Sequence, residues 1–308
     1  MDPGAVALAP AWRAWIVEQL ARGVLARDVA ARLTQAGLDK ELVDFEVAGA
    51  MAIHRLTLAS RIRRALGRSI PDRVTWPSDF WTTHWEGNLP LVLRGYARDW
   101  PALTGWSFEA LRARLGDTPV AVEIERDPAR HFEGRWVERP YSELADRVEG
   151  PPGNDLYMIA RNENLRRPAL ASLLADVVVD EATFDRTRLI GGSSLWMGPA
   201  GTLTPLHFDT TNILFVQVRG HKRFDLVSPD VGYPYLHLDG FYVDGDLARL
   251  DPDDVHALTL APGDALFIPV GWLHRVEALE ASVSLSLLCF RRPNDFTGLT
   301  RGLHPRTL

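Results

Sequence analysis

Two histidines and one aspartate have the spacing of a metal site. His207 and Asp209 are two residues apart in an apolar, β-favouring run, Leu203–Ser228, and side chains at positions i and i+2 of a strand lie on the same face. His274 follows a second strand-like run, ALFIPVGWL. Two histidines and one carboxylate on one side of a metal, with the other positions open, are the ligand set of non-haem Fe(II) oxygenases. The spacing therefore indicates an iron site made of these three residues.

The pattern His-x-Asp is weak alone, because it occurs again at His237–Asp239. That second copy lies in Gly232–Asp251, which is rich in Gly, Asp and Tyr and predicts a long loop, whereas apolar neighbours predict a rigid strand at His207. His274 is favoured over His256 as the third ligand because a Pro-x-Gly turn ends the preceding strand. For each histidine taken singly, the alternative is a hydrogen-bonded core residue.

Lys222 is a candidate binding residue beside the three metal-ligand candidates. The chain has only two lysines, Lys40 and Lys222, beside 32 arginines (34 minus 2). A slim ammonium suits a buried pocket that binds one carboxylate oxygen, where a guanidinium would be too broad. The alternative is chance, since Lys40 has no comparable setting.

Composition limits the class of protein. The chain has 308 residues, 46% of them hydrophobic, and a net charge of −6 with a pI near 5.9, which disfavours nucleic acid as a partner. The single cysteine, Cys289, excludes an intramolecular disulfide and a cysteine-built zinc site. No signal peptide or membrane-spanning run is recognisable. These features predict a soluble cytoplasmic protein that does not bind membranes.

The periodicity of apolar residues changes along the chain. Apolar spacings of three and four predict helices from residue 10 to about 67, and residues 70–79 carry two prolines and predict a linker. Many short strands punctuated by turn residues follow, which favours a sandwich or barrel. We predict an N-terminal helical segment (1–70), a mainly β domain with helical additions (71–292) and a C-terminal tail (293–308). The helices could pack on the β domain, form a homodimer or present a partner.

Three motifs follow one another in the order and spacing of a known family, and they are TPLHFD, VQVRGHKRFDLVSP and APGDALFIPVGWLHRVEAL. With them, the chain resembles the Jumonji C (JmjC) family of bacterial cupin-like hydroxylases. The resemblance covers roughly Val74 to Phe290, and the family includes the asparaginyl hydroxylase that inhibits the hypoxia-inducible factor. It implies a double-stranded β-helix, the jelly-roll barrel of cupins, with iron at one mouth. It also implies Fe(II) as cofactor and 2-oxoglutarate as cosubstrate.

The resemblance also implies roles for individual residues. His207, Asp209 and His274 become iron ligands, and Lys222 becomes the partner of the distal carboxylate of 2-oxoglutarate. Thr204 matches a hydroxyl that binds the same carboxylate. Tyr157 matches a tyrosine that reaches the cosubstrate, although a core aromatic is an equal alternative.

Two positions depart from the family pattern. The family often has Asn six residues after the first histidine, where this chain has Ile213 with Asn212 before it, and Leu288 replaces an Asn of the last strand. A one-residue offset reverses the face of a strand, so Asn212 points inward only with a bulge. Ser284 or Ser286 could compensate for Leu288.

The expected function is a 2-oxoglutarate-dependent dioxygenase that hydroxylates a protein or peptide side chain, with succinate and CO₂ as coproducts. Gly232–Asp251 and Glu125–Pro140 would border the mouth, and their mixture of acids, aromatics and arginine suits a polar peptide. A demethylase is disfavoured because no reader module or zinc-binding segment is recognisable. Two alternatives stay open: an oxygenase acting on a small molecule or RNA base, and a non-catalytic cupin-like binding protein.

Overall fold

The N-terminal helices form a small core of their own. The computed structural model describes residues 8–51, 70–126, 134–229, 247 and 250–296, and the N-terminal part contains α1 (Pro10–Ala21), α2 (Ala26–Gln35) and α3 (40–51). Gly23 and Gly37, with φ of +82° and +87°, follow α1 and α2 and end them in the left-handed conformation that glycine tolerates. The buried side chains of this core are Leu8, Ile16, Leu20, Val29, Leu33, Val43 and Val47.

Eight strands of the described residues build a barrel of two facing sheets. Their bounds are β6 (Ser193–Gly198), β7 (Leu203–His207), β8 (Ile213–Arg219), β9 (Lys222–Val227), β10 (Val255–Leu260), β11 (Ala265–Ile268), β12 (Leu273–Ala278) and β13 (Ser282–Leu287). One sheet contains the order β11-β8-β13-β6 and the other is β10-β9-β12-β7. Successive strands alternate between the two sheets except at the β9-β10 hairpin, which lies within one sheet. This arrangement is the double-stranded β-helix, so the predicted fold class is confirmed.

The larger sheet is extended at one edge. β2 (Leu91–Leu93) pairs with β11, and β1 (Asp72–Arg73) pairs in parallel with β2. The prediction that residues 70–79 are only a linker was therefore wrong at β1, where two residues are too few to give a periodic pattern. The division of the chain at residues 70 and 292 stays a prediction.

A third sheet lies beside the barrel. It has the order β4-β3-β5 and consists of β3 (Pro119–Ile124), β4 (Arg135–Pro140) and β5 (Leu156–Tyr157). An isolated bridge between Met158 and Met197 joins the end of β5 to β6. Tyr157 is consequently held against the barrel wall.

Short helices cover the barrel and the third sheet. They are α4 (Pro101–Gly105), α5 (Phe108–Leu115), α6 (Tyr141–Val148), α7 (Pro168–Ala171), a π-helix (Phe80–Glu86) and five 3₁₀ turns (Ala160–Asn162, Asn164–Arg166, Ser172–Asp176, Arg186–Arg188 and Pro252–Asp254). The Ser107 hydroxyl accepts a hydrogen bond from the Ala110 amide (3.1 Å) and caps α5 as the sequence predicts. None of the helices in the described ranges is long and apolar enough to cross a membrane.

The barrel interior contains a packed apolar cluster, and part of this cluster lines a cavity. A cluster including Phe215, Phe224, Ile268 and Trp272 packs between the two sheets, and the Trp272 indole N–H donates to Asn88 (2.9 Å). Truncating a buried aromatic of this kind costs about 3–5 kcal/mol. This packed cluster therefore supports the cavity wall.

Candidate metal and cosubstrate site

Two neighbouring strands bring the three predicted metal ligands together. His207 is the last residue of β7, and the antiparallel pairing of β7 with β12 places it directly opposite His274. Asp209 lies just beyond the strand, where its backbone carbonyl accepts a hydrogen bond from the Gly271 amide (3.1 Å). The prediction that both members of the His-x-Asp pair lie on one strand was thus wrong for Asp209, although a backbone hydrogen bond fixes its direction instead.

The three side chains are close enough to share one ion. The Oδ2 atom of Asp209 is 3.4 Å from His274 Nε2 and 4.0 Å from His207 Nε2. The imidazole rings have centroids 4.1 Å apart, and one ligand atom from each residue lies within 4.8 Å of the others. This donor set, two imidazoles and one carboxylate, suits Fe(II).

Each histidine is oriented by a backbone carbonyl. His207 Nδ1 donates to the Pro205 carbonyl (2.8 Å), and His274 Nδ1 donates to the Trp272 carbonyl (3.0 Å). A carbonyl only accepts, so Nδ1 carries the proton and the lone pair lies on Nε2, which faces Asp209. Such hydrogen bonds fix both the tautomer and the ring orientation of metal-binding histidines.

Electrostatics favour the metal-binding protonation states. Burial, together with the neighbouring His274, lowers the pKa of His207 to about 4. Burial opposes ionisation of Asp209, but the adjacent His274 and then His207 outweigh it and hold the pKa of Asp209 below its usual range. At neutral pH the site therefore offers a neutral His207 and an ionised Asp209, the forms that a metal requires.

The three residues predicted at the cosubstrate end also converge. The Lys222 ammonium donates to the Tyr157 hydroxyl (2.8 Å) in a fully buried position, and the Thr204 hydroxyl hydrogen-bonds to the same phenol. Burial, and then the charge of Arg126, lower the pKa of Lys222 to about 7. Burial also raises the pKa of Tyr157. The hydroxyls of Tyr157 and Thr204 and the ammonium of Lys222 are hydrogen-bond donors, and such a cluster suits a carboxylate ligand.

One cavity of about 330 Å³ joins the two ends of the site. The three candidate metal ligands, Tyr157 and Thr204 line it, and Lys222 contacts this wall through the Tyr157 hydroxyl. Aromatic side chains complete the wall, namely Trp196, Phe208, Phe215 and Phe224. The volume lies in the range of small-molecule sites.

The two departures from the family pattern have different outcomes. Asn212 serves the backbone, because its side chain accepts from the Val270 amide (2.9 Å) and donates to Asn294 (3.1 Å). Ser286 lines the cavity, where its hydroxyl accepts from the Trp196 indole (2.7 Å), whereas Ser284 bonds to Gln217. Of the two serines, only Ser286 is placed to contact a bound molecule.

Three charged residues of the cavity wall were missed by the sequence reasoning. Glu123 is 1% exposed and accepts from Arg126 (3.2 Å) and Arg161 (3.2 Å). The Arg126 guanidinium lies 4.8 Å from the centroid of the Tyr157 ring. Because these residues precede the motifs by many positions, only tertiary contacts reveal them. The second motif copy, His237–Asp239, lies outside the described residues.

Gly198 controls the position of Tyr157. A Cβ atom at this glycine would lie 2.7 Å from Tyr157 Cδ2 and 2.7 Å from the Thr202 methyl group, and the Tyr157 ring is 2% exposed. We expect Gly198→Ala to lower the free energy of unfolding by about 1–3 kcal/mol, as overpacking does, and to weaken 2-oxoglutarate binding by displacing the phenol. Denaturant unfolding and calorimetric titration measure the two effects. Equal 2-oxoglutarate affinity in both proteins would contradict this role.

The fold and the site define a double-stranded β-helix protein with two histidines and one carboxylate that could hold a metal. Residues 77–290 match the family model described as a cupin-like domain, and the chain belongs to this family. The match covers nearly the same residues as the resemblance to the JmjC hydroxylases. Fe(II) and 2-oxoglutarate, the cofactor and cosubstrate of JmjC oxygenases, agree with the donor set of the cavity.

Curated relatives are named for the Jumonji C domain or for demethylase or hydroxylase activity. Jumonji C domain-containing protein 5 of Drosophila melanogaster is 29% identical over 227 residues, 68% of this chain and 56% of the relative. Lysine-specific demethylase 8 of Xenopus tropicalis is 28% identical over 218 residues (64% and 47%). The human bifunctional peptidase and (3S)-lysyl hydroxylase JMJD7 is 26% identical over 258 residues (70% and 81%). The chain spans about half the length of the first two, and the predicted JmjC resemblance is confirmed.

Proposed function

We propose that this protein is an Fe(II)- and 2-oxoglutarate-dependent dioxygenase that hydroxylates a protein or peptide side chain, with succinate and CO₂ as coproducts. The observation that carries the proposal is the convergence, in one cavity, of two unlike sites. His207, Asp209 and His274 lie close enough at one end to share a metal ion, and Lys222, Tyr157 and Thr204 are hydrogen-bonded to one another at the other. A non-catalytic binding protein has no need of this combination.

The residues of the chain have separate tasks in this reaction. Bound Fe(II) and 2-oxoglutarate supply the oxygen-activating chemistry, in which one O₂ oxygen enters succinate and the other the substrate. The triad would hold the metal, as the two-histidine, one-carboxylate sites of Fe(II) oxygenases do. The Lys222 ammonium and the two hydroxyls hold the distal carboxylate, and the aromatic wall excludes water from the reacting centre.

A protein substrate is supported by the names of the relatives, which include lysine-specific demethylases and a lysyl hydroxylase. Hydroxylation and demethylation both begin with oxygen insertion at a C–H bond, so the triad serves either. Mass spectrometry of the product separates them, because hydroxylation adds one oxygen and demethylation removes one methyl group. We propose hydroxylation.

The test is aerobic incubation of the full chain with Fe(II) and 2-oxoglutarate while succinate is measured. We expect succinate without added substrate, more of it with a suitable peptide panel, and none above background in His207→Ala. Parallel panels of metabolites and RNA test the alternative substrates. If the wild type forms no more succinate than His207→Ala with any panel, the proposed activity is wrong and a binding protein is favoured.

A further inference from the structure

Arg161 is a charged residue at the cavity that the proposed reaction does not use. It lies on the 3₁₀ turn Ala160–Asn162 and lines the cavity. Its side chain is 59% exposed, while one of its amino groups is held by the buried Glu123 carboxylate (3.2 Å). A guanidinium has five N–H donors, so a single anchored amino group leaves others for a ligand.

The turn that carries Arg161 is rigid. The Asn162 side chain accepts from the Ile159 amide (2.7 Å), and Glu163 follows with φ of +49°. Asn164 then bonds to both backbone groups of Ala121, at 2.8 and 2.7 Å. Hydrogen bonds therefore hold the backbone at Arg161, and Glu123 holds its side chain. Both reduce the conformational entropy that Arg161 loses when a ligand binds.

The charges of the site favour an anionic substrate. Among the described residues that line the cavity, the acids Glu123 and Asp209 balance Arg126 and Arg161. Lys222 behind the wall adds one positive charge. A bound divalent metal and a dianionic cosubstrate cancel each other, so the loaded site keeps one positive charge in excess. Arg161 is the most exposed of the basic groups, since the side chain of Arg126 is 2% and Lys222 is 0% exposed.

We propose that Arg161 pairs with a carboxylate of the substrate, an Asp or Glu side chain that flanks the residue entering the cavity, so that the protein selects acidic peptides. This inference rests on the proposed function and adds the substrate class to it. Arginine is suited to the task because its planar fork binds a carboxylate through two parallel hydrogen bonds. The net charge of −6 on the whole chain disfavours a polyanion such as RNA, so a single carboxylate beside the cavity is the better fit.

The experiment uses the full chain loaded with Fe(II) and 2-oxoglutarate under nitrogen, where peptides bind without turnover. A randomised synthetic peptide library is captured on the protein, and bound peptides are sequenced by mass spectrometry. We expect the wild type to enrich Asp and Glu over Asn and Gln about twofold to fivefold, the range for one charge pair at the edge of a binding site. Arg161→Gln should lose the enrichment and Arg161→Lys should keep part of it.

Arg166→Gln is the matched control. Arg166 is 62% exposed, is also paired with a glutamate (Glu163, 3.3 Å) and lies five positions along the chain, but it does not line the cavity. Its variant should enrich acidic peptides as the wild type does. Absence of acid enrichment in the wild type, or equal enrichment in Arg161→Gln, overturns the proposal, as does capture of an RNA pool in preference to any peptide.

Failure of this inference is distinguishable from failure of the proposed function. Aerobic succinate formation by the wild type, together with no acid enrichment, overturns the role of Arg161 and leaves the oxygenase intact. Acid enrichment that depends on Arg161, together with no succinate under any condition, supports the peptide site and overturns the oxygenase.

Discussion

The His274→Ala variant is expected to lose Fe(II) affinity by at least about 100-fold, because even the outer hydrogen-bond partners of metal ligands change affinity by about 10- to 100-fold. His274 is 4% exposed, and its Nε2 atom lies 3.4 Å from Asp209 Oδ2. Without it, two ligands remain, and the contact that favours the ionised Asp209 is lost. Calorimetric titration of the metal-free protein under nitrogen measures the change, and succinate formation should fall to background with it.

His84→Ala provides the matched control for this prediction. His84 is also buried (3% exposed), and its Nδ1 atom also bonds to a backbone carbonyl at 3.0 Å, that of Leu89. Its removal creates a similar cavity but should leave Fe(II) affinity within about twofold of the wild type, since surface and core changes far from a site act nearly independently of it. If both variants lost Fe(II) affinity equally, the loss would reflect damage to the fold and not the removal of a metal ligand.

The second large effect is expected from Lys222→Met, which should weaken 2-oxoglutarate binding roughly 10- to 150-fold while changing Fe(II) affinity little. Loss of a charge-assisted hydrogen bond costs about 1.5–3 kcal/mol, and 1.4 kcal/mol corresponds to a factor of about ten. Methionine keeps the length and the apolar character of the lysine stem. Lys40→Met, the only other lysine variant that the chain offers, removes an exposed ammonium from the N-terminal helices and should change neither affinity. Equal effects of Lys222→Met on metal and cosubstrate would contradict the assigned role.

Without cosubstrate, the stability of the wild type should depend on pH, and Lys222→Met should remove this dependence. Burial and Arg126 lower the pKa of Lys222 to about 7 in the folded protein from an ordinary value of 10.5. Between these values the unfolded chain holds a proton that the folded chain has lost, so the stability of the wild type rises as pH increases from about 7 to about 10. Lys222→Met should be more stable than the wild type at pH 7, by a few kcal/mol at most, and should lack this rise. Denaturant unfolding across the pH range measures it.

Much of the site could be predicted because its residues lie in short motifs on neighbouring strands. His207, Lys222 and His274 each lie in or beside an apolar run that forms β7, β9 or β12, and the order of these runs determines the barrel. Hydrophobic alternation and turn residues are local signals, so they identify such strands without knowledge of the whole fold.

The remaining features depend on contacts that no local pattern encodes. Arg126 and Arg161 reach the cavity from the third sheet and its connection to the barrel, through pairing with Glu123. Asn212 looked like a displaced cosubstrate contact, but its side chain bonds to the Val270 amide and to the Asn294 side chain. Buried polar atoms must find partners, and which partner is nearest is decided by tertiary packing.

The most direct test of the central claim is a crystal structure of the Fe(II)-loaded protein, with anomalous scattering measured at the iron edge. We predict one anomalous peak per chain between His207, Asp209 and His274, within coordination distance of all three side chains and on the cavity side of β7 and β12. A peak at another position, or one of the three side chains turned away from the iron, would contradict the account.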